Sequence, residues 1–352
     1  MTIDEDKLMA VMGQAVTDMS ATVSVALMML GDKLGLYKAM AGAGPRSCAQ
    51  VAERSGTTER YVREWLSNQV AGGYVAYDPK AKTYELPEEQ AYALADEDSP
   101  VFLGGAFDVI AACWAAEERL TDAFRTGEGV GWHEQHPRLF AGTERFFRPG
   151  YRAFLTSAWI PALDGVEEKL VRGARVADVG CGFGASAILM AEAYPASTVK
   201  GFDYHQGSVD AARKRATEAG VSDRVTFDTA HAKDFPGTDF DLVCFFDCLH
   251  DMGDPVGAAR HAREALAPTG TVLLVEPYAN DGLEDNINPV GRLFYGASTF
   301  LCTPSSLSQE VGLALGAQAG EQRLRDVFTE AGFSSFRRAT ETPFNLVLEA
   351  RP

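Results

Sequence analysis

Three glycines at alternate positions, Gly180, Gly182 and Gly184, follow Asp178 in the stretch VADVGCGFGAS (Val176–Ser186), between an apolar strand and the helical run AILMAEAY. Glycine at these places removes the Cβ that would block a turn, so main-chain N–H groups at the start of the next helix can approach a small molecule. The following strand, Thr198–Phe202, ends at Asp203, where a carboxylate can take both hydroxyls of a ribose. Together these residues describe a nucleoside site. Gly180-x-Gly182-x-x-Ala185 also satisfies the dinucleotide fingerprint, which tolerates Ala at its third position. The loop alone therefore leaves a nicotinamide enzyme open.

The elements that must position this loop alternate between strand and helix. FDLVCFF (Phe240–Phe246) is a short, almost wholly apolar run after the turn Pro236-Gly237, as expected of a strand buried on both faces of a parallel sheet. Cys248-Leu249-His250-Asp251-Met252-Gly253-Asp254-Pro255 comes next, then a helical stretch Val256–Leu266, the turn Pro268-Thr269-Gly270 and a second buried strand, Thr271–Glu276. Phe333–Thr340 and Asn345–Ala350 close the chain as two strands joined around Pro343. The fold class is α/β.

With 352 residues the length prior gives about two domains, and a hydrophobic content of 46% suffices for packed cores. The N-terminus lacks a charged region followed by an apolar one, and no apolar run approaches the ~20 residues that span a bilayer. The six cysteines are scattered without a CxxC pair, which favours a reduced, cytoplasmic setting and gives no metal spacing. The net charge of −17 argues against polyanionic partners, nucleic acid and anionic membranes alike.

The N-terminal third reads as a winged helix. Met1–Leu30 and Leu34–Ala41 look helical, a break falls at Gly42–Pro45, and Cys48–Ser55 is a short helix stopped by Gly56. Thr57 or Thr58 can cap Glu59–Ala71, whose Tyr61, Val62, Trp65, Leu66 and Val70 fall at helical spacing. Tyr74–Tyr77 and Thr83–Leu86 are strands around Asp78-Pro79-Lys80. Such a fold invites a DNA-binding, cofactor-sensing regulator as an alternative function. Residues 1–100 carry nine Lys/Arg against fifteen Asp/Glu, however, and that surface repels phosphates.

Asp178 two residues before the first glycine, together with the extra Gly184, resembles the first motif of the class I S-adenosylmethionine-dependent methyltransferases, and the resemblance runs from about Val171 to the C-terminus. A winged-helix N-terminal domain joined to such a domain resembles the natural-product O-methyltransferases, including the plant phenolic enzymes, and a less characterised bacterial branch. The resemblance implies a Rossmann-like seven-stranded methyltransferase sheet (166–352, with a cap insertion 281–320) after a winged-helix dimerisation domain (1–98) and a helical linker and cap (99–165). It implies a homodimer, S-adenosylmethionine as cofactor and S-adenosylhomocysteine as product. The cofactor would be held by Asp178 at its amino end, by Gly180, Gly182 and Gly184 beneath it, and by Asp203 and Tyr204. Where the phenolic enzymes carry an Asp near the adenine, His231 or Ala232 stands here, with Asp234 as an alternative acid and Phe246 against the purine.

In those enzymes a His-Asp dipeptide after the fourth strand supplies the base, and His250-Asp251 occupies that place. An imidazole of ordinary pKa near 6.5 can take the proton of a phenol or alcohol around neutrality as oxygen attacks the methyl group. Glu276 is the carboxylate expected to orient His250, Glu321 a second, and Asp251 serves local hydrogen bonding. The acceptor pocket is expected from the two insertions, with His133, Phe147, Asn286 and Tyr295 as lining residues. His133, Glu134 and His136 lack the helical metal-binding spacing, so no metal is expected. The expected activity is methyl transfer to a small apolar or aromatic acceptor at oxygen, with N-, S- or C-methylation as the nearest alternative.

Overall fold

The computed structural model describes residues 3–352. By compactness the chain divides in two: one unit runs to Ala111 and takes in Ala141–Pro149, the other comprises Ala112–Phe140 and Gly150–Pro352. The stretch 99–165, expected as a separate linker and cap, is thus shared between the two units.

The first unit holds helices Glu5–Lys33, Leu36–Met40, Cys48–Ser55 and Glu59–Ala71, followed by the antiparallel pair β1 (Ala76–Asp78) and β2 (Thr83–Glu85). This is the winged helix. Ser47 and Gln50 form a reciprocal capping box that starts Cys48–Ser55, and Gly56, at φ +65°, ends it. Thr58 occupies the N-cap of Glu59–Ala71 but its side chain makes no capping bond. Thr57 instead shares a 2.7 Å hydrogen bond with Ser55. The buried face of that helix is Val62, Trp65, Leu66 and Gln69, whereas Tyr61 is 81% exposed. Tyr61, four residues before Trp65 and at the same helical spacing, belongs to the apolar stripe by pattern but stands at its solvent-exposed margin. Tyr37 donates to the buried Gln69 at 2.7 Å, and Trp65 Nε1 donates to Leu27 O at 2.9 Å. Arg145 holds Asp32 through two bonds of 2.5 and 2.9 Å.

The second unit is built on a seven-stranded sheet: β3 (Arg175–Val179), β4 (Thr198–Asp203), β5 (Val225–Thr229), β6 (Phe240–Phe246), β7 (Leu266–Pro277), β8 (Ser335–Glu341) and β9 (Asn345–Arg351). The spatial order is β5-β4-β3-β6-β7-β9-β8, parallel from β5 through β7, with β9 antiparallel to both β7 and β8. The chain order reverses between β3 and β6, so the ligand crevice of an open α/β sheet falls outside the carboxyl ends of these strands. Every apolar residue of β6 is buried, as are Val176, Ala177 and Val179 of β3, which explains why both strands read as continuous apolar runs. The turn expected at Pro268–Gly270 is an irregularity within β7, whose register against β6 jumps from Phe240↔Leu266 to Leu242↔Thr271. Among the described residues no helix is long and apolar enough to cross a membrane.

Candidate functional site

The carboxyl end of β3 feeds the glycine loop. Gly180 and Cys181 donate to Phe202 O of β4 at 2.8 and 3.0 Å, which folds the loop back over the sheet edge. All three glycines have positive φ: +74°, +51° and +78°. Their surroundings differ. A Cβ on Gly180 would sit 2.7 Å from Cys248 Sγ and one on Gly184 2.7 Å from the Phe227 ring, so these two permit close packing. A Cβ on Gly182 would meet nothing within 4 Å. Gly182 therefore leaves room beside the loop for a ligand. Asp178 beneath it is fully buried and accepts from Ser186 Oγ at 2.6 Å, while its Oδ1 has no hydrogen-bond partner. Burial, helped by the charge of Asp203, raises the Asp178 pKa to about 7. Its charge is thus costly without a cationic partner and suits a cationic ligand group.

At the end of β4 the carboxylate of Asp203 accepts from Gly182 N (3.0 Å) and His205 N (2.8 Å), locking the glycine loop to the next turn. Each oxygen keeps acceptor capacity for a hydroxyl. Tyr204 stacks on His231, ring centroids 6.0 Å apart and planes at 10°, and His133 meets Tyr204 edge-on at 6.1 Å. Ala232 packs against the sheet core, while Asp234 is exposed.

The ends of β6 and β7 bring the proton-transfer candidates together. His250 lies in a 3-10 turn, Leu249–Asp251, and is 3% exposed. Its Nδ1 pairs with Oε2 of Glu276, whose Oε1 accepts from Leu249 N at 3.0 Å. The Asp251 Oδ1 lies 3.3 Å from Nε2. Burial pulls the imidazole pKa down, but the charges of Glu276 and Asp251 overcome it and raise it well above 6.5. The following helix, Pro255–Ala265, is capped by Asp254, which accepts from Gly257 N at 2.7 Å; His250 plays no capping part.

Asp247, one residue past β6, stands at φ +49°, an uncommon conformation for a residue with a Cβ. Its carboxylate accepts from Tyr151 Oη (3.0 Å) and Asn345 Nδ2 (2.9 Å). Burial and the charge of Glu276 push it up to about 8. The Tyr151 ring lies 5.5 Å from that of Phe246. Sequence reasoning missed Asp247 and Asn345; an Asp three residues before His250 was the available signal. Among the described residues, one group of side chains could hold a metal ion: His250, Asp251 and Cys302.

The remaining candidate residues have surroundings of their own. Asn286 is 4% exposed and spent on its own loop, donating to Asn280 O and Gly282 O and accepting from Asn280 N, all at 2.8–2.9 Å. It staples the loop, and both of its amide protons are spent there. Glu321 accepts from Arg325 at 2.6 Å and Arg338 at 2.8 Å, an ion-pair role beside β8 and not one beside His250. Phe147 belongs to the first unit, with its ring 5.1 Å from that of Phe146. Tyr295 is 36% exposed on the helix Pro289–Ala297. Glu134 accepts from Gly131 N (2.7 Å) and His136 from Arg138 N (3.2 Å).

Comparison with known proteins agrees with this fold. Residues 21–96 match the family model of an Rv2258c-like winged HTH domain, and residues 170–332 match a methyltransferase domain. The 27-O-demethylrifamycin SV methyltransferase of Amycolatopsis mediterranei is 39% identical over 104 residues, 29% of this chain and 38% of that enzyme, so the chain spans well under half the length of this curated relative. The solved structure of mitomycin 7-O-methyltransferase MmcR is similar with a TM-score of 0.72 at 19% identity, over 99% of this chain and 100% of that one. Human N-acetylserotonin methyltransferase in complex with S-adenosylmethionine (SAM) gives 0.70 at 19% identity, over 100% and 99%. The residues fit that cofactor: an unpartnered buried carboxylate oxygen on Asp178 for an ammonium group, an open face at Gly182, and Asp203 for ribose hydroxyls.

Proposed function

This chain belongs to the class I S-adenosylmethionine-dependent methyltransferases with an N-terminal winged-helix domain, and on that premise we propose that it methylates a hydroxyl group of a small acceptor, with His250 as the general base. The observation that carries this reading is the Glu276–His250 pair at the carboxyl edge of the sheet, next in line to the glycine loop. The relatives whose names specify the methylated atom include enzymes that act at oxygen, such as the rifamycin one, and enzymes that act at nitrogen, so it is the histidine pair that favours oxygen.

When bound, S-adenosylmethionine supplies an electrophilic methyl group. Asp178 would hold its amino end, Gly182 would leave room beside it, and Asp203 would take its ribose; Tyr204 and His231 offer a stacked pair of rings beyond Asp203. Glu276, behind Nδ1, fixes the tautomer that presents Nε2 as the proton acceptor. The same carboxylate stabilises the imidazolium formed as the acceptor oxygen loses its proton. Positioning and proton removal then carry the reaction, the base contributing ~10²–10⁴ in rate. Because its neighbours raise its pKa, His250 becomes a base only once its resting proton has left, at a higher pH than an ordinary imidazole. Tyr151 and Phe246 give this edge an aromatic wall suited to an apolar or aromatic acceptor.

A homodimer is supported by the helix Glu5–Lys33, which leaves Met9, Val11, Met12, Val16, Met19 and Val23 at least half exposed, a row that a second copy would cover. Such a row is stable in water only when covered. On the helix Glu59–Ala71, Arg60 and Arg63 are paired with Glu64 and Glu59, which leaves that helix little net charge to attract phosphates. The function is tested by incubating the protein with methyl-labelled S-adenosylmethionine and a panel of phenols, naphthols, alcohols, amines and thiols. Label on hydroxyl acceptors, lost in His250→Ala, supports the proposal; label on amines or thiols alone, or undiminished transfer by His250→Ala, contradicts it.

A further inference from the structure

We propose that a strap of the insertion after β7, residues 303–314, holds the turn that carries His250 in its working position, with Gln309 as the positioning residue. The inference rests on His250 being the base and names what keeps it in place. Four backbone polar groups of the three residues after His250 are bonded to this one strap. Gln309 Nε2 donates to Asp251 O at 2.9 Å, and Ser306 Oγ donates to Met252 O at 2.8 Å. Gly253 N donates to Gln309 Oε1 at 3.2 Å, and Leu313 N donates to Gly253 O at 2.9 Å. Within the turn itself, Asp251 N donates to Cys248 O at 3.1 Å and Met252 N to Leu249 O at 3.2 Å. Much of what fixes the turn therefore comes from the strap.

Three further features fit this role. Gly253 is not in the left-handed region, yet a Cβ there would lie 2.5 Å from Gln309 Cβ and 2.6 Å from Glu310 O, so glycine at this place serves the close approach of the strap. The Gln309 amide is fully used, since its Nε2 also donates to Ser305 O at 2.9 Å, and the fully buried Ser306 accepts from Ala314 N at 3.0 Å. Val311 and Ala314 stand at φ +73° and +49°, on either side of the Leu313 N–H that reaches Gly253. A β-branched residue in that region is an outlier, and such strain persists where surrounding bonds over-determine the backbone. On the outer side Lys233 ties Glu310 (3.0 Å) to Asp254 (3.5 Å), the cap of the helix after the turn. A proton acceptor must stay aimed at the reacting oxygen, and a misplacement of about 1 Å can cost ~10²-fold in rate. The insertion expected to line the acceptor pocket thus also steadies the base.

The test compares the full-length native protein with Gln309→Met, which fills the same space without a polar end at a surface position, and with Gly253→Ala, which pushes the strap away. Amide hydrogen exchange reads the turn directly, at Leu249 and Met252, whose N–H groups do not touch Gln309. Both variants should speed exchange there at least ~10-fold while the amides of β3 and β6 keep their protection. In methyl transfer, kcat should fall ~10–100-fold, with S-adenosylmethionine affinity by calorimetry unchanged within about twofold. Unchanged exchange at Leu249 and Met252 in Gln309→Met overturns the proposal, as does a kcat equal to that of an active native protein. Faster exchange spread through the whole sheet also overturns it, since that reports lost stability and not a slackened turn. The exchange readout involves no methyl transfer, so a native protein without activity, with the turn loosened in both variants, would count against the enzymatic reading only.

Discussion

Replacing Glu276 by Gln removes one charge from the pair that sets His250 while keeping a carbonyl oxygen for the Leu249 N–H. In the native protein both side chains are almost wholly buried, at 2% and 3% exposure, and Glu276 bridges Leu249 N and the imidazole Nδ1. A hydrogen bond to a charged partner contributes about 1.5–3 kcal/mol. Since about 1.4 kcal/mol corresponds to one pH unit, the imidazole pKa in E276Q should fall by about one to two pH units. Only the neutral imidazole accepts a proton, so the acid limb of the kcat/KM profile moves to lower pH by the same amount. Its plateau drops by ~10-fold or more, as the tautomer is no longer fixed. Stability follows the same linkage. The folded pKa of His250 lies above its unfolded value, so its contribution is complete below pH 6.5 and is lost as pH rises through the folded value. E276Q should therefore lower Tm more at pH 6 than at pH 9. An acid limb that does not move, or a loss of Tm equal at both pH values, would refute the reasoning.

Gly182→Ala should cost only about 1–2 kcal/mol of stability, from a left-handed backbone with open space around the new Cβ, yet weaken S-adenosylmethionine binding at least tenfold. Gly184→Ala, where the Cβ would press on Phe227, should instead lower Tm by more than Gly182→Ala; thermal denaturation with calorimetric titration separates the two. Asp178→Asn keeps the Ser186 bond and removes a buried charge. Because the native folded pKa is raised to about 7, ionisation of Asp178 destabilises the ligand-free fold as pH rises from 3.8 through 7. The variant should thus melt higher than the native protein at pH 8 while binding the cofactor more weakly. Met12→Lys with Val16→Lys should halve the mass found by light scattering, since both residues lie on the exposed apolar face of the first helix.

Much of the sheet was legible because buried parallel strands announce themselves: FDLVCFF and the approach to Asp178 are apolar on both faces, and each glycine or acid after them stands at a carboxyl edge. The Glu276–His250 contact was legible in part, since adjacent parallel strands β6 and β7 must end side by side. Insertions were not. Asn286 carries a side chain as fit for a ligand as for a loop, and only the positions of Asn280 and Gly282 show that it is used up locally. Glu321 was drawn away by Arg338, a partner on β8 that periodicity does not reveal. Tyr151 reached Asp247, and Cys302 reached His250, across chain separations that carry no local pattern.

The most direct test of the central claim is calorimetric titration of the purified protein with S-adenosylmethionine and, separately, with NAD(H). Saturable binding of S-adenosylmethionine, weakened in Asp203→Ala and absent for NAD(H), is the expected result. Binding of NAD(H), or of neither ligand, would contradict the assignment of the glycine loop and with it the methyl-transfer reading.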